Sequence, residues 1–391
     1  WRHTQNPYSH YGYYFVTENA SHQKKIALST KKYDTNNVTD VDWYTAYSVH
    51  EKDELNLIDA TGVNGGGREF YGEVLNIKNK NVSIQFPMQN VRTDKNTYCK
   101  VDLAAYSSES TTTVKVNYAG TTTARTLPAI SISDYYTKAI TDSVIVATKA
   151  NSKTTQIVNI YFTSTTSGAV TYLNYVEINA PCDLIMRGNE LHITNACYLG
   201  QRPAIRYHLE GASAQTQIWR VTDGVNIEQM PTEWIGEKLT WVGNNTSAEK
   251  YVAVNPSITL WKMPVKVGQI ANQNLHKLEN IDYVIICPSE FVEPAKRLAK
   301  KHEEVDHITW AVVTDQQVYN EFSSGTPDAS AYRWLMKMLY DRGTDNITRP
   351  KNLLLLGDGT FDNRKILSRS GWNKLLTYQA KNSTVETAAY A

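Results

Sequence analysis

Nothing in the 391 residues approaches the roughly 18–20 consecutive apolar positions that a membrane-spanning helix needs, so no helical span is expected. Charge of one sign is also missing. Forty Lys and Arg stand against 39 Asp and Glu, a net charge of +1, and no basic excess points to nucleic acid as a partner. Cysteine is scarce: Cys99, Cys182, Cys197 and Cys287 are too few for a disulfide framework at this length. Cys182 and Cys197 are near enough to be hairpin neighbours and to pair, and isolated buried thiols are the alternative. No initiator Met or signal peptide opens the chain, which reads as a piece of something longer. Phe numbers 7 against 25 Tyr, a usage that suits β-sheets with one wet face.

A hydrophobic content of 41% and a charged content of 20% describe a globular chain with room for two or three domains. Residues 1–185 read as strands. In "TVKVNYAG", Val114, Val116 and Tyr118 alternate with Lys115 and Asn117, the period of a half-buried strand. "SVIVAT", "QIVNIYF" and "AVTYLNYVEI" are similar runs between polar turns. No amphipathic helix is expected before residue 290, and the pattern predicts a β-sandwich or jelly roll. Short strands continue over 186–275 ("LHIT", "AIRYHL", "TQIWRVTD", "KYVAV"), punctuated by Pro203, Pro231, Pro256 and Pro264. That stretch is either a small second β unit or the sandwich's continuation.

The grammar changes over 276–391. "IDYVIIC" is a continuous apolar run, as in a strand covered on both faces. "SEFVEPAKRLAKKHEEV" spaces Phe291, Ala295, Leu298 and His302 for a helix, with Ser289 as its expected N-cap. "HITWAVVTD" is a second strand, "QQVYNEF" a short helix, "DASAYRWLMKMLYDRG" a longer one that stops at Gly343, and "KNLLLLGDG" a third strand. Alternating strands and helices predict a parallel α/β sheet. Its carboxyl edge, where such sheets do their chemistry, would carry Cys287, Asp315 and Asp358.

As a nucleophile Cys287 needs a base in reach, and His302 and His307 are expected at the opposite edge, so a buried structural thiol is the preferred reading. Asp315, Asp358 and Asp362 are candidate cleft-wall residues, as metal ligand, base-orienting group or substrate contact. Against that stands the common use of Asp after a strand as a turn or helix cap. "GDGTFD" lacks the third glycine of a dinucleotide fingerprint and the Glu of a calcium loop. "GVNGGGREFYGEV" (62–74) has no Lys-Ser/Thr and reads as a loop opening a strand rather than a phosphate cradle. "NPYSHYGYYF" reads as a strand with aromatic cross-strand pairs, with a sugar-stacking platform as the alternative.

Several stretches together resemble the gingipain-type cysteine endopeptidases, and among them the sortases of the type IX secretion system. They are "HYGYYFVTE", "VHEKDELNLID", "GGGREFYGEV", "YLNYVEIN", "IWRVTD" and "IANQNLHKLENIDYVIICPSEFVEPAKRLAKKH". The most specific is "VYNEFSSGTPDASAYRWLMKMLYDRG" followed by "NLLLLGDGTFDNR". The resemblance implies a caspase-like α/β domain, here its first part, after the β-rich region. It implies removal of C-terminal sorting signals from exported cargo and attachment of that cargo to a surface lipopolysaccharide. It also implies an outer-membrane β-barrel shuttle protein (PorV) as partner and a place at the bacterial outer membrane. No cofactor is implied, and a structural calcium ion is left open. The family's catalytic His stands in a Gly-His-Gly context and its Cys ends a later strand. No His follows His307 and no Cys follows Cys287. The catalytic His and Cys are therefore expected beyond Ala391, and no catalytic residue is assigned in this chain. The competing class is a surface adhesion or carbohydrate-binding β-sandwich protein with the α/β part as scaffold.

Overall fold

The computed structural model describes residues 1, 3–17, 25–33, 37–58, 65–195, 204–244, 248–258, 261–367 and 373–388. Alternation builds the first pair of sheets. In β7 (Thr112–Tyr118), Val114, Val116 and Tyr118 are buried and Lys115 is exposed, as the pattern predicts. Its sheet runs β5 (Asn81–Pro87), β10 (Thr155–Thr163), β7, β8 (Thr121–Leu127). The second sheet runs β3 (Trp43–Glu51), β11 (Val170–Asp183), β6 (Asn96–Tyr106), β9 (Ile140–Lys149), and β4 (Val74–Asn76) also pairs with β11. Neighbours are antiparallel throughout, and both sheets feed one core that includes Val101, Val116, Val158 and Ile178. The register of β11 against β6 shifts between Leu173 and Tyr175. One extra residue exchanges the faces. Leu173 before it and Val176 and Ile178 after it all join the core, while Tyr175 and Glu177 turn to the other side.

A second β unit has its own core, in which the Tyr207 and Trp241 rings stack at 4.9 Å and Tyr251 lies tilted or edge-on to them at 5.6 and 5.7 Å. One of its sheets runs β1 (Ala27–Leu28), β15 (Glu228–Gln229), β14 (Gln217–Arg220), β18 (Lys250–Val254), β12 (Glu190–Thr194). The other runs β16 (Glu233–Ile235), β17 (Lys238–Asn244), β13 (Ala204–Leu209), β2 (Thr39–Val41). β1 and β2 join by parallel pairing to β15 and β13, so residues near the start of the chain complete this unit.

The third unit is a parallel sheet in the order β20 (Trp310–Thr314), β19 (Tyr283–Cys287), β21 (Asn352–Leu355). Every residue of central β19 is buried. On one face α1 (Val292–Asp306) places Ala295 and Ala299 against Tyr283, Ile285 and Cys287. On the other, α2 (Asp315–Phe322) and α3 (Ser330–Arg342) place Val318, Tyr319, Tyr332 and Leu335 against Val284, Ile286 and Val313. Among the described residues α1 is the first α-helix, and no helix is long and apolar enough to cross a membrane.

Three local expectations change. Ser289 does not cap α1; it opens a 3-10 turn (Ser289–Phe291) that leads into the helix after Pro288. Leu298 is 37% exposed, and the face of α1 buried on the sheet is Ala295 and Ala299. Small side chains let the helix lie close to the sheet, which pushes the larger neighbour to the rim. The stretch Asn6–Phe15 is not a strand. Asn6 Oδ1 accepts the amides of Tyr8 (2.9 Å) and Ser9 (3.3 Å), a side-chain turn that replaces a ladder. Tyr8 is buried and Tyr11, Tyr14 and Phe15 are exposed.

Candidate functional site

The three parallel strands bring Cys287, Thr314-Asp315 and Gly357-Asp358 to one edge, as the sequence predicts. Thr314 is the cap of α2: its hydroxyl accepts the Gln317 amide (3.1 Å) and its own amide donates to Gln317 Oε1 (2.9 Å). Asp315 is thereby relieved of capping. Burial, and after it the nearby Glu290, raises the Asp315 carboxyl above the ordinary range despite an opposing hydrogen bond from the Gln316 backbone. Behind it the hydroxyls of Tyr319 and Tyr332 are hydrogen-bonded to each other, in rings 5.6 Å apart. Burial is the main force on both: Tyr319 rises far, and Tyr332 is pushed up to about 12. The Cys287 thiol is raised by burial and then by Asp315 and Glu290, and its Sγ lies 4.0 Å from the Val313 carbonyl. A fully buried thiol facing carboxylates is the opposite of an activated nucleophile. His302 lies edge-on to Tyr283, at the start of β19, and pairs with Asp306 at 2.6 Å; His307 ends α1. Both therefore belong to the far edge. The catalytic His and Cys were expected beyond Ala391; Ala391 itself lies outside the described residues, which end at Ala388.

Of the three candidate acids only Asp358 is exposed. Its Oδ1 accepts the Gly359 amide at 2.9 Å, and its carbonyl accepts the amides of Lys374 (2.7 Å) and Leu375 (3.1 Å). A Cβ on Gly359 would stand 2.5 Å from Thr377 Cγ2 and 2.7 Å from the Leu375 carbonyl, so this close approach requires glycine. Asp362 is 4% exposed, and its two carboxylate oxygens accept the amides of Ile366 (2.8 Å) and Leu367 (2.7 Å). It caps a turn and has no oxygen free for a substrate. Among the described residues no three His, Cys, Asp or Glu side chains are grouped to hold a metal ion. Cys99, Cys182 and Cys287 are free and buried; Cys197, which the sequence offered as a partner for Cys182 against the alternative of isolated thiols, lies outside the described residues.

The chain after this edge leaves the α/β unit and docks on the first sandwich. Arg364 Nη1 donates to Asp53 Oδ2 at 2.7 Å, and the guanidinium lies 5.5 Å over the Phe70 ring. Phe361 stacks on Phe70 with centroids 6.3 Å apart. The Gly67 amide donates to Gln379 Oε1 (3.0 Å), the Arg68 amide to the Ala380 carbonyl (3.0 Å) and the Glu69 amide to Ser383 Oγ (2.8 Å). Val385 bridges Thr137. The glycine cluster is therefore the seat of the "GDGTFDNR" segment, as far as it is described; Gly62–Asn64 lie outside the described residues. Sequence reasoning missed Asp53 and Arg364. The available signal was that two peculiar motifs, each a glycine group followed by Phe, had no partner of their own.

Residues 276–391 match the model of peptidase family C25. No curated protein matches. The structure of dimeric latent PorU from Porphyromonas gingivalis superposes with a TM-score of 0.78 at 24% identity, over 92% of this chain and 34% of that one. The chain thus spans about a third of that relative's length. A CBM36 carbohydrate-binding module solved with calcium and xylotriose matches at TM-score 0.22 and 14% identity, over 34% of this chain and 98% of the module. The CBM36-1 domain of a xylanase from the hindgut metagenome of Trinervitermes trinervoides matches at TM-score 0.22 and 9% identity, over 34% and 96%. The sheet-rich region, the parallel sheet and the C25 segment agree: the chain is PorU-like in fold, and its residues 276–391 match peptidase family C25.

Proposed function

We propose that the chain is part of a surface-exposed cysteine endopeptidase that acts as a sortase of the type IX secretion system. It would remove C-terminal sorting signals from cargo and join the cargo to surface lipopolysaccharide, working with the outer-membrane shuttle PorV. One observation carries the reading: a parallel sheet inside the C25 match aligns Cys287, Asp315 and Asp358 at its carboxyl edge. The nucleophile and base are assigned to none of the four cysteines and nine histidines present. Thiol hydrolysis needs a thiolate and imidazole in hydrogen-bond reach. Cys287 is buried, and the histidines flanking its strand sit at the other edge. The carboxyl edge would then supply one wall of the cleft, with Asp358 as its exposed carboxylate.

The test is an assay of the 391-residue chain on peptides with Arg, Lys or a neutral residue before the scissile bond. No turnover is expected, and turnover that vanishes in Cys287→Ala would overturn the assignment. Binding of PorV by the same chain is expected in pull-down; its absence, together with glycan-array binding by the sandwich, would favour the adhesion reading instead.

A further inference from the structure

The residues that follow the carboxyl edge are held from two sides: Asp358, Thr360 and Asn363 bond to residues 373–377, and Phe361 and Arg364 reach another unit. Within 358–367 the internal ties are short-range: Asp358 to Gly359 and Asp362 to Ile366 and Leu367. Its large side chains find their partners across the seam. Phe361 packs on Phe70 and would be struck by a Cβ on Gly65, whose nearest approach to the ring is 2.3 Å. Arg364, with its side chain 1% exposed, has Asp53 as its ion-pair partner, 311 residues away. Asp53 Oδ2 also accepts Gln5 Nε2 at 2.8 Å, so a third segment converges on the same carboxylate. A buried guanidinium tolerates few positions, because its charge must stay beside its counterion. Such a pair fixes placement more than it adds stability.

We infer that Asp53 and Gly65 of the first sandwich are positioning residues for the cleft: they set where the loop bearing Asp358 and Phe361 lies. The inference rests on the peptidase reading only for the word cleft; the placement of the loop is independent of it. The first sandwich is then a working part of the site rather than a passive neighbour, and the C25 segment alone would carry a misplaced wall.

Hydrogen exchange on the 391-residue chain tests this without any substrate. In Asp53→Asn and in Gly65→Ala, the amides of Gly359, Ile366 and Leu367 should exchange roughly tenfold faster or more. The amides of Val116, Val158 and Val284, in three core strands, should hold their rates. Asp53→Glu, which keeps the charge, should restore part of the protection, and Asp53→Asn with Arg364→Gln should lose no more than either change alone. Unchanged exchange at 359–367, or equal acceleration in all strands, would overturn the inference. In the intact peptidase the same variants should lower turnover. If the intact, unsubstituted peptidase cleaves nothing, the peptidase reading falls while the exchange result on the 391-residue chain stands.

Discussion

Two buried arginines separate a unit's interior from the seam between units. Arg220, in the second β unit, donates to Glu228 (2.6 Å) and Glu249 (3.2 Å). Those carboxylates are themselves completed by Ser29 Oγ, the Asn244 amide and the Tyr251 hydroxyl. Arg364, at the seam, has Asp53, and among the described residues its Nε and Nη2 have no hydrogen-bond partner. The first is a closed network inside one core. The second is an open pair that ties distant segments together. Removing a partner from a closed buried network leaves several groups unsatisfied at once, whereas the open pair chiefly specifies position.

The largest expected effect follows directly. Arg220→Ala should cost about 3–5 kcal/mol of stability, because Glu249 stays buried beside a tyrosine hydroxyl with its counterion gone. Urea unfolding of the 391-residue chain followed by Trp fluorescence measures it. A cost below about 1 kcal/mol would erase the distinction between the two arginines. Next comes Gly243→Ala, whose Cβ would stand 2.0 Å from the Tyr251 hydroxyl in that same network. A loss of about 1–3 kcal/mol is expected from the forced shift. A stability indistinguishable from that of the parent would mean the core is looser than its contacts imply.

The smallest effect concerns two carboxylates on the first sandwich. Burial acts to raise Glu73, but hydrogen bonds from His50, the backbone and Lys52 outweigh it and hold the carboxyl at about 2. Glu51 goes the other way: burial raises it over the pull of His3. A lowered carboxyl contributes stability above its unfolded value, about 4.3, and that contribution is lost as pH falls toward about 2. A raised one contributes below about 4.3 and loses its contribution as pH rises through its folded value. Glu73→Gln should therefore flatten the fall in stability between about pH 4.3 and 2, and Glu51→Gln should not. Unfolding free energies across that range decide it; parallel curves for Glu73→Gln and its parent would remove Glu73 from the account.

Much of the fold was legible because its causes are local. Alternation marked the strand Thr112–Tyr118, and the unbroken apolar run Tyr283–Cys287 marked a strand covered on both faces. Helical spacing located α2 and α3, and the edge residues followed from strand order. The exchange of faces at Asn174 left no trace in the pattern, because neighbouring residues on both faces end up covered. β1 and β2 were equally silent, since two or three residues pairing with partners about 165–200 positions away carry no periodicity. At the site, capping was expected of the aspartates. Asp362 fulfils it, but Thr314 takes the place of Asp315, which burial then shifts.

By itself the sequence determined the β-rich first part, the three parallel strands and the edge at which Cys287, Asp315 and Asp358 meet. Those features depend on backbone propensity and on contrasts between adjacent residues. Tertiary structure alone decided that burial raises the Asp315 carboxyl and that Arg364 belongs to Asp53. Solvent exclusion and the pairing of charges depend on which distant segments arrive together, and no short stretch of chain contains that information.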